Sequence, residues 1–178
     1  MLPALLQNDP FASRRMKTRP AEAKDRDRIH EILVATARFS DQEILWAMEL
    51  VDVAFDRPDR GDYLVYVIES PDSGPRRKVQ GYVCYGPTPM TEGVYDLYWI
   101  AVDPACQGEG LGQVLLRFVE NEVRRQRGRM LLIETRSRPS YAATIRFYER
   151  SGYEEITRIK DFYRIEDDKL VFCKKLEP

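Results

Sequence analysis

The stretch Gln107-Gly108-Glu109-Gly110-Leu111-Gly112 places a glycine at every second position between an apolar run and a segment with helical periodicity. A backbone without Cβ atoms can approach a ligand closely and adopt positive φ, so several amide N–H groups can turn toward one anion. At the start of a helix, these amides also lie at the positive end of the helix dipole. The stretch therefore predicts a phosphate-binding loop, although a plain strand-to-helix turn that uses glycine for geometry alone fits the same spacing.

The segments on either side of this loop predict a parallel βαβ unit. Residues 93–102 are apolar on both faces, as in a central strand. Residues 114–128 carry apolar side chains at helical spacing, and residues 130–135 form another apolar strand. Open sheets bind ligands at the carboxyl ends of such parallel strands, which is where the glycines fall.

The remaining periodicities predict two helices before this unit and strands on both sides of it. Residues 23–36 and 44–55 are predicted to be amphipathic helices, and Ser40-Asp41-Gln42-Glu43 before the second has the form of a capping box. The other predicted elements are strands at 16–19, 63–69, 78–86, 154–164 and 169–174, a helix at 141–150 that ends before Gly152, and an acidic turn Glu166-Asp167-Asp168. Residues 1–15 are predicted to be an N-terminal tail and residues 16–178 one domain.

Composition limits the classes of partner and site. The formal net charge is -1 with a pI near 6.0, which predicts a small-molecule or local protein partner and neither nucleic acid nor membrane. No apolar run approaches the length of a membrane span. Cys84, Cys106 and Cys173 are widely spaced, which predicts free thiols in a reducing, cytoplasmic compartment. With a single histidine, His30, which we assign to helix packing or the surface, no zinc site can be assembled, so no metal is expected.

Two motifs carry a resemblance to a known family. The segment 102–112, Val-Asp-Pro-Ala-Cys-Gln-Gly-Glu-Gly-Leu-Gly, resembles the acyl-CoA pyrophosphate loop of the GNAT N-acetyltransferase superfamily. The segment 142–153, Ala-Ala-Thr-Ile-Arg-Phe-Tyr-Glu-Arg-Ser-Gly-Tyr, resembles the second signature of that superfamily. The two occur in the family's order with a predicted strand between them, and the order of elements matches from residue 16 onward.

The resemblance implies an α/β fold with a central mixed, mostly antiparallel sheet of six to seven strands, a splayed parallel pair of strands and about four flanking helices. It also implies direct attack of a primary amine on the thioester of acetyl-CoA, a cosubstrate that lies between the two splayed strands. Direct attack needs no nucleophilic side chain, which agrees with the absence of a serine or cysteine in a nucleophile setting. The cofactor-binding residues that the resemblance implies are Ile100, Ala101, Val102, Gln107, Gly108, Glu109, Gly110, Leu111, Gly112, Tyr141, Ala143, Phe147 and Tyr148.

Four side chains are candidates for proton transfer. Tyr148 matches the family's tyrosine that protonates the departing thiolate, although its spacing also allows simple packing on the sheet. Glu134 matches the general base of N-terminal acetyltransferases and would need burial to raise its pKa, whereas an exposed glutamate or an ion pair with Arg136 is the structural alternative. Asp96 is the competing carboxylate, and Tyr98 could carry the proton through water.

The acceptor amine stays open at this point. A protein α-amine is a tenth or more neutral at pH 7, while lysine is neutral in only about a few molecules per ten thousand, so a weak base favours a peptide N-terminus or an amino-acid-like amine. The hairpin at Asp161-Phe162-Tyr163 is similar to that of ribosomal-protein and other N-terminal acetyltransferases, while Ser140-Tyr141 replaces a family asparagine. A noncatalytic acyl-CoA sensor is the alternative function, and a homodimer stays open. A P-loop is excluded because no Lys-Ser or Lys-Thr follows the glycines.

Overall fold

The computed structural model describes residues 16–70 and 79–177, and the tail predicted at 1–15 lies outside these ranges. Within them, seven strands and four α-helices follow one another in the predicted order. The strands are β1 (Lys17–Pro20), β2 (Leu64–Glu69), β3 (Val79–Pro87), β4 (Val94–Val102), β5 (Met130–Arg136), β6 (Glu154–Arg164) and β7 (Asp167–Lys175). The helices are α1 (Arg26–Ala35), α2 (Asp41–Asp56), α3 (Leu111–Arg125) and α4 (Ala142–Arg150).

The strands form one mixed sheet in the order β1-β2-β3-β4-β5-β7-β6. Only β4 and β5 are parallel among the described pairs, and a helical crossover through α3 joins them. One buried cluster packs α3 and Tyr148 of α4 on one face of the sheet, and a second packs α1 and α2 on the other face. This arrangement confirms the mixed sheet with one parallel pair and flanking helices that the sequence predicts.

The parallel pair comes apart halfway along β4. Its register runs from Val94 opposite Met130 to Leu97 opposite Ile133, which leaves the second half of β4 beyond the last pair. On the other side of β4, Cys84 is opposite Trp99 and Tyr85 is opposite Leu97, so Tyr98 is an extra residue in the strand. Such a β-bulge bends the strand that carries it, which gives a local reason for β4 to leave β5 at this point.

The bulge also changes which residues face each helical layer. Leu97 packs in the cluster under α3 and α4, whereas Tyr98 and Trp99 both pack in the cluster under α1 and α2. Ile100 then returns to the first cluster. The bulge therefore adds an aromatic side chain to the α1/α2 face, beside the point where the strands part.

The capping box before α2 is confirmed. The Ser40 hydroxyl accepts a hydrogen bond from the Glu43 amide at 3.3 Å, and the Glu43 carboxylate accepts one from the Ser40 amide at 2.9 Å. The first predicted helix is shorter than expected, since residues 23–25 form a single 3-10 turn before α1. None of the helices in the described ranges has the length and apolarity that crossing a bilayer requires.

From their large apolar side chains, the sequence also predicts that Trp46 and Trp99 are core anchors, and this is wrong for Trp46. Of its surface, 54% is exposed because it lies off the buried stripe of α2, which is formed by Ile44, Ala47, Met48 and Val51. Trp99 is half-buried and packs edge-to-face on Phe39, with ring centroids 5.2 Å apart.

The predicted acidic turn is shorter than expected. Asp167 belongs to β7, opposite Arg164 of β6, and is fully buried. Guanidinium nitrogens of Arg136, Arg138 and Arg164 lie 3.5–4.0 Å from its Oδ2 atom. Asp168 also lies in β7, so of the three predicted turn residues only Glu166 remains in the turn, with a positive φ of 63°.

Candidate active site

The glycine loop leaves the end of β4 through a short 3-10 turn, Pro104–Cys106. Gly108 and Gly110 both adopt the left-handed conformation, with φ of 81° and 80°. A Cβ atom added to Gly108 would meet nothing within 4 Å. The backbone conformation thus favours glycine here, and the loop borders open space.

Gly110 is the residue that directly precedes α3, so the loop delivers its amides to the start of a 15-residue helix. The amides of Leu111, Gly112 and Gln113 belong to the first turn, where N–H groups have no acceptor within the helix. A Cβ atom at Gly112 would lie 3.6 Å from the ring of Phe147, so α4 approaches the same helix end. Donors, helix dipole and open space together fit a diphosphate.

The predicted cofactor residues of β4 follow the point where the strands part. Ile100 and Val102 face the α3/α4 cluster, while Ala101 is buried toward α1 and α2. The Val102 carbonyl accepts a hydrogen bond from Nε2 of Gln107 at 3.2 Å, which folds that side chain back onto the strand. Glu109 is exposed and Leu111 is buried under the helix start. These residues form a continuous path from the parted strands to α3.

The residues predicted on and before α4 divide into two groups. Phe147 reaches Gly112, as described above. Tyr141, in contrast, donates a hydrogen bond from its hydroxyl to the Arg38 carbonyl at 3.5 Å, and Arg38 donates from Nη1 to the Thr144 hydroxyl at 3.1 Å. Ala143 is exposed. The loop between α1 and α2 is therefore tied to the start of α4.

Asp96 lies one residue before the last parallel pair, on the face of β4 opposite Leu97. Its carboxylate accepts a hydrogen bond from the Thr88 hydroxyl at 2.7 Å. Burial raises the pKa of Asp96, and the negative charge of Glu134 raises it further, against the opposing effect of the Thr88 hydrogen bond. A carboxyl group with a raised pKa at the splay, the point beyond Leu97 and Ile133 where β4 and β5 part, is suited to accept a proton.

Tyr98 lies next to this carboxylate. Its ring packs edge-to-face on Tyr63, with ring centroids 5.2 Å apart. Burial and the charge of Asp96 both raise the pKa of Tyr98, so its hydroxyl stays protonated near neutrality. The structure thus brings Asp96 and Tyr98 together on the α1/α2 face.

Glu134 differs from the expectation for a base held in an apolar environment. Of the two settings left open for it, the structure has the exposed one, since 53% of its side chain is exposed, and its Oε2 lies 2.6 Å from Nζ of Lys169. Glu134 therefore pairs with Lys169 and not with Arg136, the partner considered from the sequence. Lys169 of β7 lies opposite Arg136, two residues along β5 from Glu134. Glu134 still faces Asp96 across the parting strands, where its charge influences the pKa of Asp96.

Tyr148 lies inside the core under α4, with 5% of its surface exposed. Its ring packs near those of Phe147, Tyr153 and Phe172, with centroids 5.3–6.1 Å away. Burial raises the pKa of Tyr148, which keeps the phenol protonated at neutral pH. Its catalytic role stays a prediction, and the packing alternative describes its ring contacts.

Nothing in the sequence pattern indicated that several of these side chains would lie at the site. Thr88 falls in a cluster of prolines that predicts only a loop, and Lys169 lies in a strand chosen for its apolar residues. The guanidinium of Arg136 lies over the ring of Tyr163 at 4.3 Å from its centroid, which joins β5 to the aromatic hairpin. Only the strand register places these groups at the splay. Among residues 16–70 and 79–177, no cluster of His, Cys, Asp and Glu could hold a metal ion.

Comparison with known proteins gives a consistent result. Residues 61–155, more than half of the chain, match the family model described as an acetyltransferase (GNAT) domain. A crystal structure of a protein from Desulfovibrio desulfuricans, assigned to the GNAT family, is 38% identical, with a TM-score of 0.85 over 91% of this chain and 99% of that one.

More distant relatives have named acceptors. The ribosomal-protein-S18-alanine N-acetyltransferase structure from Escherichia coli superposes with a TM-score of 0.71 at 21% identity, over 92% of this chain and 95% of that one, which shows a shared fold. In sequence, the bS18-alanine N-acetyltransferase of Escherichia coli K12 is 37% identical over 73 residues, or 41% of this chain. The match spans about half the length of that curated relative, 48%.

Proposed function

The chain belongs to the GNAT acetyltransferase family, and we propose that it transfers an acetyl group from acetyl-CoA to a primary amine, with the α-amine of a protein N-terminus as the acceptor. The observation that carries this proposal is the position of Asp96. A half-buried carboxyl group with a raised pKa lies where β4 and β5 part, at one end of a path that leads to the glycine loop.

The chain's own residues are suited to hold a coenzyme A molecule. The amides from Gly108 to Gln113 would hold the pyrophosphate, and the backbone of Ile100 and Val102 would hold the pantetheine arm beside the unpaired edge of β4. Bound acetyl-CoA would supply the thioester carbon that the amine attacks. Holding two reactants in the same place can be worth an effective molarity on the order of 10⁵ M or more, so positioning is the main catalytic contribution.

Asp96 supports removal of the proton that the attacking amine must lose. An α-amine with a pKa of about 7.7–8.0 is already neutral in about a tenth of molecules at pH 7, so a carboxylate need only accept a proton from the ammonium form or from the amine as it attacks. Tyr98, which stays protonated beside Asp96, can pass that proton on through its hydroxyl or through water. Glu134, half-exposed beside Lys169, remains the competing base.

Tyr148 supports the second proton transfer. A phenol that stays protonated is available to donate to a departing thiolate, whose parent thiol has a pKa of about 8.5, and the burial that raises the pKa of Tyr148 also makes it a weaker acid. Because the ring is wedged among Phe147, Tyr153 and Phe172, it has little freedom to move, which favours a fixed donor position.

The choice of a protein N-terminus rests on the acceptor side of the splay. Phe162 and Tyr163 are exposed at the β6–β7 hairpin, and Lys169 and Arg136 lie against their rings. Exposed aromatic side chains offer apolar contact surface to an extended peptide. The relatives named as ribosomal-protein S18-alanine N-acetyltransferases support a protein acceptor.

An acceptor screen tests this proposal. The protein is incubated with acetyl-CoA and a panel containing peptides with N-terminal alanine, the same peptides with blocked N-termini and an internal lysine, free amino acids and polyamines, while release of free thiol is followed. We expect turnover with the free N-terminus and little with the blocked peptides. Turnover of lysine or polyamines alone would overturn the choice of acceptor.

The same screen separates an enzyme from an acyl-CoA sensor. Calorimetric titration with coenzyme A measures cofactor binding without an acceptor. Binding of coenzyme A with no thiol release across the whole panel would favour the sensor, and failure to bind coenzyme A would overturn the proposal as a whole.

A further inference from the structure

Asp103, the residue at which the glycine loop begins, forms hydrogen bonds through its amide, its carbonyl and its carboxylate. The Asp103 amide donates to the Gln80 carbonyl of β3 at 2.8 Å, and its carbonyl accepts from the Cys106 amide at 2.8 Å. Its Oδ1 atom accepts from the Ala105 amide at 2.9 Å, which caps the 3-10 turn. Asp103 therefore sets both where β4 ends and how the chain turns into the glycines.

A side chain from a distant part of the sequence reaches this residue. Arg28 of α1, 75 positions earlier, donates from Nη2 to Oδ2 of Asp103. Its Nε atom donates to the Val79 carbonyl at the start of β3, at 3.0 Å. The pair is largely shielded from water, with 19% of the Arg28 side chain and 12% of the Asp103 side chain exposed. One guanidinium thus joins α1, β3 and the start of the loop.

The geometry gives the two carboxylate oxygens of Asp103 separate tasks. Oδ2 is held by Arg28, and this fixes the carboxylate in the orientation in which Oδ1 caps the turn. Without the guanidinium, a largely buried carboxylate would be left without its cationic partner and would rotate toward water, because an uncompensated charge is costly there. The Ala105 amide would then lose its acceptor, and the residues that follow would lose their fixed starting point.

We propose that Arg28 is a positioning residue, which acts through Asp103 to hold the glycine loop in the conformation that binds the pyrophosphate of coenzyme A. The proposal rests on the function proposed above, because it presumes that the cofactor binds at this loop. In this proposal Arg28 acts only through Asp103 and makes no contact of its own with the cofactor. It affects binding through the alignment of the loop amides. Loss of one amide hydrogen bond to a charged phosphate lowers the affinity about tenfold.

Calorimetric titration with coenzyme A tests the proposal in four proteins: the unaltered chain, Arg28→Met, Arg28→Lys and Arg26→Met. Arg26 provides a matched control on the same helix, because it pairs with Asp52 of α2 at 2.6 Å between side chains that are 44% and 39% exposed. We expect Arg28→Met to weaken binding about tenfold and Arg26→Met to leave it within about twofold.

Arg28→Lys should recover part of the affinity. A lysine keeps the charge beside Asp103 but cannot donate to Val79 and Asp103 together through a planar fork. With the acceptor found in the screen, the KM for acetyl-CoA should rise in Arg28→Met, while kcat at saturating cofactor stays within about twofold. A general loss of structure would lower kcat as well, and it would show in the circular dichroism spectrum.

Two results would overturn the inference. Equal coenzyme A affinity in Arg28→Met and Arg26→Met would remove Arg28 from the site, as would a fall in kcat with an unchanged KM for acetyl-CoA. Should Arg28→Met fail to fold, Arg28→Lys and Asp103→Asn decide in the same way, since an asparagine oxygen still caps Ala105 but no longer holds the guanidinium by charge. If the unaltered chain itself does not bind coenzyme A, the proposed function fails, which is a distinct outcome.

Discussion

Replacing Asp96 by asparagine should remove the proton acceptor while preserving the fold. The side chain is half-buried and accepts one hydrogen bond from Thr88 at 2.7 Å, which the carboxamide oxygen of asparagine can accept as well. General bases contribute about 10²–10⁴-fold to rate, or about 3–5 kcal/mol of transition-state stabilisation. We therefore expect kcat/KM for the acceptor to fall by about 10²-fold or more at neutral pH.

The pH dependence follows from the direction of the pKa shift. Burial and the charge of Glu134 raise the pKa of Asp96, so the rate of the unaltered enzyme should decrease as the pH falls through that raised value. The same shift favours the protonated carboxyl in the folded state. Its contribution to stability is present below the unfolded pKa and is lost as the pH rises through the folded pKa. At neutral pH, Asp96→Asn should therefore not lower the free energy of unfolding through this charge.

The assay is thiol release over a series of acidic to alkaline pH values, with thermal unfolding measured on the same samples. Glu134→Gln is the matched control, because its side chain is half-exposed and paired with Lys169. We expect this variant to keep the acid limb, moved toward lower pH because the charge of Glu134 no longer raises the pKa of Asp96, and to change the rate at neutral pH less than about threefold. A wild-type rate and acid limb in Asp96→Asn, together with their loss in Glu134→Gln, would refute the reasoning and make Glu134 the base.

Three further predictions concern the donor, the loop and the core. Tyr148→Phe should lower kcat about 10²-fold with coenzyme A affinity little changed; an unaltered kcat in steady-state assays would leave Tyr148 a packing residue only. Gly110→Ala, at φ of 80°, should weaken coenzyme A binding about tenfold in calorimetry, because a Cβ disfavours this conformation by about 1–2 kcal/mol; unchanged affinity would contradict this account of the loop. Lys174→Met removes the ammonium group that lies 2.9 Å from the buried Glu120 carboxylate, so it should lower the free energy of unfolding in urea by about 2–3 kcal/mol. The control Arg125→Met, at an exposed pair, should lower it by less than about 0.5 kcal/mol. Equal losses in the two variants would contradict a stabilising role of the Lys174–Glu120 pair.

Local patterns predicted most of the fold, because they depend on neighbours in sequence. The Ser40–Glu43 capping box is fixed by four consecutive residues, and β4, α3 and β5 follow from apolar periodicity over short windows. Glycine adopts positive φ at little cost, and the glycines at 108 and 110 do so. Such features could be assigned without knowing which elements pack together.

The assignments that were wrong or left open concern which side of an element faces its neighbours. Glu134 interrupts an apolar strand, yet it projects to the open side of the splay, where Lys169 of β7 reaches it. Trp46 is apolar but lies away from the buried stripe of α2. Asp167 is buried because β7 begins two residues earlier than the predicted strand at 169–174, with arginines from two other segments and from β6 around it. Strand register and helix orientation decide these contacts, and neither is encoded within one segment.

The central claim is that the amides before α3 hold a diphosphate and that the parted strands hold the arm attached to it. A crystal structure of this protein with coenzyme A tests the claim most directly. We predict pyrophosphate oxygens within hydrogen-bonding distance of amides between Gly108 and Gln113, and the pantetheine between β4 and β5 beyond Leu97 and Ile133. Coenzyme A bound elsewhere, or β4 and β5 paired along their full length in the complex, would contradict it.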